Sequence, residues 1–237
     1  MTDGAISPVF SILQNPSLVD YPGKLAGVFF IAGCNFRCGF CHNADLMRPR
    51  ETDNLPWHQV EAICRRFRDN WVQGAVLTGG EPTLHSDLPA VVEKLRGFGF
   101  AVKLDTNGSR PRVLEKLLPL VDYVAMDIKC APEEYGARTG FADVAALTES
   151  IRLIREHAAD YEFRTTVIES WHTPETMTAI GEWVGGTKRH VLQAFVPREH
   201  LPDPAMRVLR ETPADVLRAL ADILRRHVQC VEIRGGF

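Results

Sequence analysis

Three cysteines stand close together in the sequence, in a pattern suited to binding an iron–sulfur cluster. Cys34, Cys38 and Cys41 have first three and then two residues between them, and they follow an apolar stretch at 25–32. If that stretch is a buried strand, the cysteines lie on the loop that leaves it. Three thiolates can hold three irons of a 4Fe–4S cubane, and the fourth iron is then left without a protein ligand. The pattern therefore predicts a cluster with a coordination site open for chemistry.

A structural zinc site is the alternative for the same cysteines. Such a site takes four ligands, commonly in two separated pairs. His42 could be a fourth ligand, but it is joined directly to Cys41, and adjacent residues have difficulty closing one tetrahedron. Cys64, Cys130 and Cys230 are isolated. Cys64 falls on an apolar helical stripe, which favours a buried thiol, and the other two are too sparse to hold a second cluster.

Length and composition indicate an ordinary globular domain. The chain has 237 residues, of which 45% are hydrophobic and 24% charged, and a net charge of −3 that gives no reason to expect nucleic acid as a partner. Its first residues lack a basic segment followed by a long apolar core, so we expect no signal peptide. The apolar run at 25–32 is too short to span a bilayer. We therefore expect a cytoplasmic protein with no membrane partner.

Short apolar runs alternate with amphipathic segments, a pattern typical of βα units in a parallel sheet. We expect strands at 25–32, 75–78, 101–105, 123–127, 161–168 and 190–195. Helices are predicted at 56–71, 87–96, 112–118, 144–157, 174–184 and 213–227, with a strand-like end at 228–234. The predicted fold class is α/β, an incomplete parallel (β/α)6 barrel. We expect one domain over 1–237, with its core at about 20–200 and a helix and strand-like extension at 205–237.

Polar residues follow the ends of these strands, where parallel sheets gather their active-site groups. Each has an ordinary alternative: Gly79-Gly80 as a tight turn, Asp105 as a turn cap, and Arg164 as a solvent-facing charge. Asp105 and Asp127 end neighbouring strands, and two such carboxylates form a hard oxygen site suited to a cation. The candidate residues at the strand ends are Gly79, Gly80, Glu81, Asp105, Thr106, Asn107, Asp127, Lys129, Arg164 and Gln193.

The cysteine spacing, the aromatic Phe40 before the third cysteine, and Gly79-Gly80-Glu81 closely resemble the radical S-adenosylmethionine (SAM) enzymes. The resemblance implies that the open iron is chelated by the amino and carboxylate groups of SAM. The sulfonium then takes an electron, and SAM breaks into methionine and a 5′-deoxyadenosyl radical. By the same resemblance, the amino group is held by Gly79, Gly80 and Glu81. Arg164 could form a bidentate fork on the carboxylate, and the positive charge of Lys129 suits that carboxylate or the ribose. The other implied cofactor contacts are Phe40, His42, Asn107 and Gln193.

The segments at 18–24 and 34–43 further resemble glycyl-radical activating enzymes, in particular the longer form of the anaerobic ribonucleoside-triphosphate reductase activating protein. This implies a partner glycyl radical enzyme, most simply that class III reductase, and flavodoxin or ferredoxin as the electron donor. Asp20 would face the incoming glycine loop. A monovalent cation, Na+ or K+, would be bound by Asp105, Thr106, the carbonyl of Ala125, and Asp127.

One departure and two alternatives accompany this resemblance. Pyruvate formate-lyase activating enzymes have a histidine near the end of the sixth strand, where this chain has Val196-Pro197. The same cofactor residues could serve a radical SAM enzyme that acts on a small molecule or a peptide. A non-catalytic cluster or metal-binding protein is the third hypothesis, and the intact Gly79-Gly80-Glu81 and 105–108 segments weigh against it.

Overall fold

Eight strands form one sheet in the part of the chain that the structure, a computed structural model, describes, residues 7–48 and 54–235. They are β1 Val9–Ile12, β2 Ala26–Ile31, β3 Gly74–Gly79, β4 Ala101–Thr106, β5 Tyr123–Asp127, β6 Tyr161–Val167, β7 His190–Ala194 and β8 Val231–Arg234. The spatial order follows the chain order; β1 pairs with β2 antiparallel, and all later pairs are parallel. The predicted α/β partial barrel is thus confirmed.

Helices connect the parallel strands on one side of the sheet. They are α1 Trp57–Asp69, α2 Leu88–Gly97, α3 Pro111–Leu117, α4 Tyr135–Thr139, α5 Val144–His157, α6 Pro174–Trp183, α7 Pro204–Arg207 and α8 Ala214–Leu224. The six predicted helices are confirmed with shifts of a few residues at their ends, whereas the short α4 and α7 were not predicted. None of the helices within the described ranges is both long and apolar enough to cross a membrane.

Alternation along each strand separates a helix-packed face from the barrel interior. On the helix-packed face, Phe29, Leu77 and Leu104 belong to the large apolar core. On the interior face, a small apolar cluster lies toward the amino ends of the strands, formed by Tyr21, Ala26, Val28, Val76, Tyr123 and Ala125. The predicted site residues lie toward the carboxyl ends of the strands, and the buried charged residues Lys103 and Glu162 also face the interior, closer to the amino ends.

The first and last strands are the elements that sequence patterns describe least well. β1 is only four residues long and was not predicted. β8 corresponds to the predicted strand-like end, and it continues the parallel sheet beside β7. The C-terminal segment is consequently part of the same sheet rather than an appendage, because α8 packs against α6 and β7 as well.

Candidate active site

The three clustered cysteines lie on the loop that follows β2, and all three line one cavity. Cys34, Cys38 and Cys41 are free thiols, and the cavity has a volume of about 400 Å³. That volume is in the range of small-molecule and cofactor sites, about 300–1,000 Å³. The wall opposite the loop is built by the carboxyl ends of β3 to β7. The structure therefore brings the cysteine loop and the carboxyl ends of the strands together, as predicted.

The cysteine loop has little regular structure, and contacts from distant segments hold it in place. The backbone N–H of Arg37 donates to the carbonyl of Thr139, at the end of α4, over 2.7 Å. The N–H of Asp203, just before α7, donates to the Gly39 carbonyl over 3.1 Å. His42 Nε2 lies 3.1 Å from the carbonyl oxygen of Val196, beyond β7. The two short helices that were not predicted, α4 and α7, therefore have a structural role, because a residue at the end of α4 and one just before α7 form hydrogen bonds with this loop.

Burial makes these thiols weak acids before any metal binds. It raises the pKa of Cys34 to about 11 and that of Cys38 to about 12, and it raises the pKa of Cys41 as well. The ammonium of Lys129 acts in the opposite direction on all three. Thiols bind metals as thiolates, so cluster assembly here must displace protons.

The donor set fits a cubane better than a single metal ion. Within the described residues, no three His, Cys, Asp or Glu side chains converge closely enough to hold one ion. The four-ligand zinc alternative therefore finds no ligand set among them. Three thiols around one cavity, with carboxylate-binding groups opposite, match a cluster that keeps one iron open to a second ligand.

The Gly79-Gly80 turn lies against the start of the cysteine loop. A Cβ on Gly80 would lie 2.0 Å from the carbonyl oxygen of Gly33, and one on Gly79 would lie 2.5 Å from that of Ile31. Gly79 also has a φ of +118°, which other residues rarely adopt. Asn43 Nδ2 donates to the Gly79 carbonyl over 3.2 Å. The glycines line the cavity as predicted, but they are required first by this backbone-to-backbone contact and not by a ligand.

Glu81 does not line the cavity, and its predicted contact with the amino group of SAM stays a prediction. Its carboxylate is fully buried and accepts hydrogen bonds from the backbone N–H groups of Thr83 and Asn107 and from the hydroxyls of Thr83 and Thr106. Both of its oxygens are thus already used by the protein. Burial raises the pKa of Glu81, against the effect of these four donors. Glu81 joins the end of β3 to the end of β4 and so acts as a positioning residue.

Asn107 connects the end of β4 to the cysteine loop. Its Nδ2 donates to Asn35 Oδ1 over 3.0 Å, and Asn35 Nδ2 donates in turn to the Ser109 hydroxyl over 2.9 Å. Asn107 lines the cavity beside Cys34. This polar connection was not predicted, although Asn35 lies inside the cysteine motif.

Five charged side chains form a continuous chain along the interior face of β4, β5 and β6. Lys103 Nζ lies 2.5 Å from Asp105 Oδ1, and Asp105 Oδ2 lies 3.3 Å from Arg164 Nη1. Arg164 Nε lies 3.0 Å from Asp127 Oδ1, and Asp127 Oδ2 lies 2.8 Å from Lys129 Nζ. Every carboxylate oxygen therefore has a cationic partner from the protein. We name these five residues the charge chain.

The cations outweigh desolvation in setting the pKa of the two aspartates. Burial by itself would raise both values, but Arg164 and Lys103 hold the pKa of Asp105 below its usual range. In the same way, Arg164 and Lys129 lower the pKa of Asp127 to about 2. Both carboxylates are consequently ionised at neutral pH. The Na+ or K+ site that sequence analysis expected at these residues stays a prediction.

Most predicted site residues line the cavity together, and Asp20, Glu81 and Ala125 do not. Those in the lining are Cys34, Cys38, Phe40, Cys41, His42, Gly79, Gly80, Asp105, Thr106, Asn107, Asp127, Lys129, Arg164 and Gln193. Glu81 and Ala125 lie outside it, both fully buried. Lining residues that were missed are Phe36, Asn43, Thr78, Thr166 and Ala194. Thr78 and Thr166 could have been found, since each follows the interior alternation of its strand.

Asp20 lies at the opposite end of the barrel. Ser17 pairs with Ala26, the first residue of β2, and Tyr21 packs against Tyr123, the first residue of β5. Both neighbours mark the amino ends of strands, whereas the cavity lies at their carboxyl ends. The structure therefore separates Asp20 from the site, and the predicted role beside an incoming loop is not supported.

Comparison with known proteins now assigns the family. The model described as Radical SAM superfamily matches residues 28–177, which is more than half of the chain. The chain belongs to the radical SAM superfamily. Membership implies a 4Fe–4S cluster and SAM as the cofactors, and the cavity described above offers residues for both.

Relatives within the radical SAM superfamily carry out different reactions. The chain is 32% identical over 228 residues to a Methanocaldococcus jannaschii protein provisionally named as a glycyl-radical enzyme activating enzyme, and the match covers 92% of each chain. It is 34% identical over 143 residues to the pyruvate formate-lyase-activating enzyme of Streptococcus mutans, with 54% of each covered. It is also 28% identical over 217 residues to a 7-carboxy-7-deazaguanine synthase of Thermococcus kodakarensis, covering 82% and 81%.

Solved structures support the same fold. SuiB of Streptococcus suis bound to SAM aligns with a TM-score of 0.67 and 16% identity, over 91% of this chain and 51% of that one. QueE of Escherichia coli aligns with a TM-score of 0.59 and 16% identity, over 96% and 93% of the two chains. At these identities the likeness concerns the radical SAM fold alone.

Proposed function

We propose that this radical SAM protein activates a glycyl radical enzyme, and that its partner is an anaerobic, class III ribonucleoside-triphosphate reductase. The observation that carries the proposed activation is the likeness to the M. jannaschii protein, with 92% of both chains aligned. The choice of the reductase rests on the resemblance of the segments at 18–24 and 34–43. A short match could reflect the shared cofactor site only. A match over the whole length also includes the segments around the rim of the cavity, which is where a substrate must enter.

The cofactors supply the bond breaking, and the chain's residues position them. When bound, the cluster would supply one electron for cleavage of SAM into methionine and a 5′-deoxyadenosyl radical, and that radical would take an α-hydrogen from a glycine of the partner. Cys34, Cys38 and Cys41 would hold three irons. Arg164 and Lys129 present charged donors to a carboxylate, and the Gly79-Gly80 turn presents backbone to an amino group.

The barrel is not closed, and this suits a protein substrate. Within the described residues, β1 and β8 are the two ends of the sheet, and they are not paired with one another. A backbone glycine can be reached only if a loop of the partner enters the cavity. We propose entry from the carboxyl-end rim, with reduced flavodoxin or ferredoxin of the cytoplasm as electron donor.

Electron spin resonance provides the direct test. The reduced, cluster-loaded protein is mixed with SAM and a class III reductase without oxygen. We expect a carbon-centred doublet, split by the glycine hydrogen that remains. The Cys41→Ala protein, which we expect to lose the cluster, is the matched control and should give no signal. An enzyme that cleaves SAM but never produces the doublet with the reductase encoded beside it would contradict the proposed partner.

Action on a small molecule is the second candidate. The match to the deazaguanine synthase covers more than four fifths of both chains, so this alternative has its own support. The two candidates differ in what triggers SAM cleavage. An activating enzyme should cleave SAM faster with a partner protein, whereas a small-molecule enzyme should respond to a purine-like substrate alone.

A further inference from the structure

Lys103 is the one member of the charge chain that lies beneath the cavity instead of lining it. Its side chain is 2% exposed, compared with 12% for Asp105 and 27% for Asp127. On the neighbouring strands it is in register with Val76 and Tyr123, which belong to the apolar interior cluster. A buried ammonium is very costly unless it is paired, and among the described residues the anion that Lys103 contacts is Asp105.

Lys103 has a direct effect on the charge of the site. The charge chain contains three cations and two carboxylates, so its net charge is +1. Without Lys103, two cations would face two carboxylates and the net charge would fall to zero. Glu162, the next inward-facing residue on β6, does not change this balance, because Arg234 pairs with it over 2.8 Å.

We propose that the Lys103 ammonium is a built-in replacement for a monovalent cation at Asp105, so that SAM binding in this protein needs neither Na+ nor K+. The geometry supports this directly. Lys103 occupies one oxygen of Asp105, which leaves Arg164 bridging both aspartates and still able to donate to the carboxylate of SAM. Lys103 acts through Asp105 and Arg164 and is therefore a positioning residue.

The proposal rests on SAM binding and not on the identity of the glycyl partner. It also opposes the expectation drawn from resemblance, in which the same aspartates bind Na+ or K+. The two ideas make different predictions for the native protein. They can be separated by a binding measurement that involves neither turnover nor a partner.

The experiment measures the dissociation constant of SAM by equilibrium dialysis with the oxidised, cluster-loaded protein. Binding is compared in potassium, sodium and tetramethylammonium chloride at equal ionic strength, since tetramethylammonium is too large to coordinate between carboxylates. The native affinity should vary by less than about twofold among the salts. Lys103→Met should bind about tenfold more weakly in tetramethylammonium and recover most of that loss in potassium or sodium.

Lys116→Met is the matched control, because Lys116 is exposed on α3, away from the cavity. It should behave as the native protein in all three salts. The proposal is overturned if native affinity rises more than about fivefold with potassium, or if Lys103→Met is equally weak in every salt. If Lys103→Met fails to fold, the affinities of the native protein for SAM in the three salts are sufficient to test the proposal. Because no step requires a glycyl partner, failure here and failure of the proposed activation are distinguishable.

Discussion

Two carboxylates of this site, the buried Glu81 and the partly buried Asp127, have pKa values shifted in opposite directions, and their partners explain why. Burial is the largest influence on both Glu81 and Asp127, and in both it favours the protonated form. Glu81 receives hydrogen bonds from neutral donors only, and its pKa is raised. Asp127 contacts a guanidinium and an ammonium, and its pKa is lowered. Full charges thus overcome desolvation here, whereas neutral donors do not.

Asp127 should stabilise the fold in a way that depends on pH. Its pKa is about 2 in the folded protein and 3.8 as a reference, so its stabilising contribution is complete above pH 3.8 and is lost as pH falls toward 2. From that difference we expect a contribution of about 2 kcal/mol at neutral pH. Urea unfolding of the apoprotein should therefore show Asp127→Asn less stable at pH 6. The difference in unfolding free energy between the native protein and Asp127→Asn should become smaller between about pH 4 and pH 2. A difference that stays constant with pH would contradict the low pKa of Asp127.

Cluster binding should depend on the three loop cysteines and on no other. Substituting Cys34, Cys38 or Cys41 by Ala should each remove most of the bound iron and the visible absorption after anaerobic reconstitution. Cys130→Ala is a demanding control. Cys130 is fully buried, and Cys38 is near enough to affect its pKa, yet it does not line the cavity. Loss of iron in Cys130→Ala, with the fold intact by circular dichroism, would show that the ligand set is wrong.

At the scale of elements, the cysteine loop and the turn after β3 behave as one unit. The N–H of Glu81 donates to the Gly33 carbonyl over 2.7 Å, and the N–H of Gly80 donates to the Ile31 carbonyl over 2.9 Å. Glu81 then fixes the start of the loop after β4. Three separate segments of the chain are thereby held in register, and the cavity wall depends on all of them.

This unit predicts a large difference between two glycine substitutions. Gly80→Ala would place a Cβ 2.0 Å from the Gly33 carbonyl oxygen, in backbone that cannot easily move. We expect a loss of at least about 2 kcal/mol of unfolding free energy and poor iron retention. Gly97→Ala, at the end of α2, meets nothing within 4 Å and should change stability by no more than about 1 kcal/mol. Thermal unfolding and iron content measure both effects, and equal behaviour of the two variants would refute the argument.

Sequence analysis could predict the parallel strands and the residues at their carboxyl ends, because short apolar runs alternate with amphipathic segments and polar residues follow directly after those runs. It missed β1, α4 and α7, which have four, five and four residues and are too short to show a period. It misplaced Asp20, although that residue precedes β2 and so belongs at the amino ends. It also missed Lys103, two residues before Asp105 on the same strand face, because a lysine in a strand is ordinarily taken to be exposed.

At the scale of the whole molecule, the fold alone does not select the substrate. The same architecture aligns with SuiB, solved in one case with its precursor peptide, and with QueE. A fold of this kind supports several functions, and each depends on what its rim admits. Whether the substrate is a partner protein or a small molecule must therefore be determined by experiment, by finding the molecule from which the hydrogen atom is removed.

Isotopic labelling follows that atom. A class III reductase is prepared with glycine deuterated at both α positions and is incubated with the reduced protein and SAM. If the radical acts directly on the glycine, one deuterium must move into 5′-deoxyadenosine, which mass spectrometry detects as a mass increase. The doublet should collapse toward a single line, because the hydrogen that caused the splitting is now deuterium. Unlabelled reductase gives the reference mass and the full splitting. If 5′-deoxyadenosine stays unlabelled while a glycyl radical forms, the hydrogen does not pass directly from the glycine to the adenosyl carbon, and this chain's cavity is not where the glycine is held.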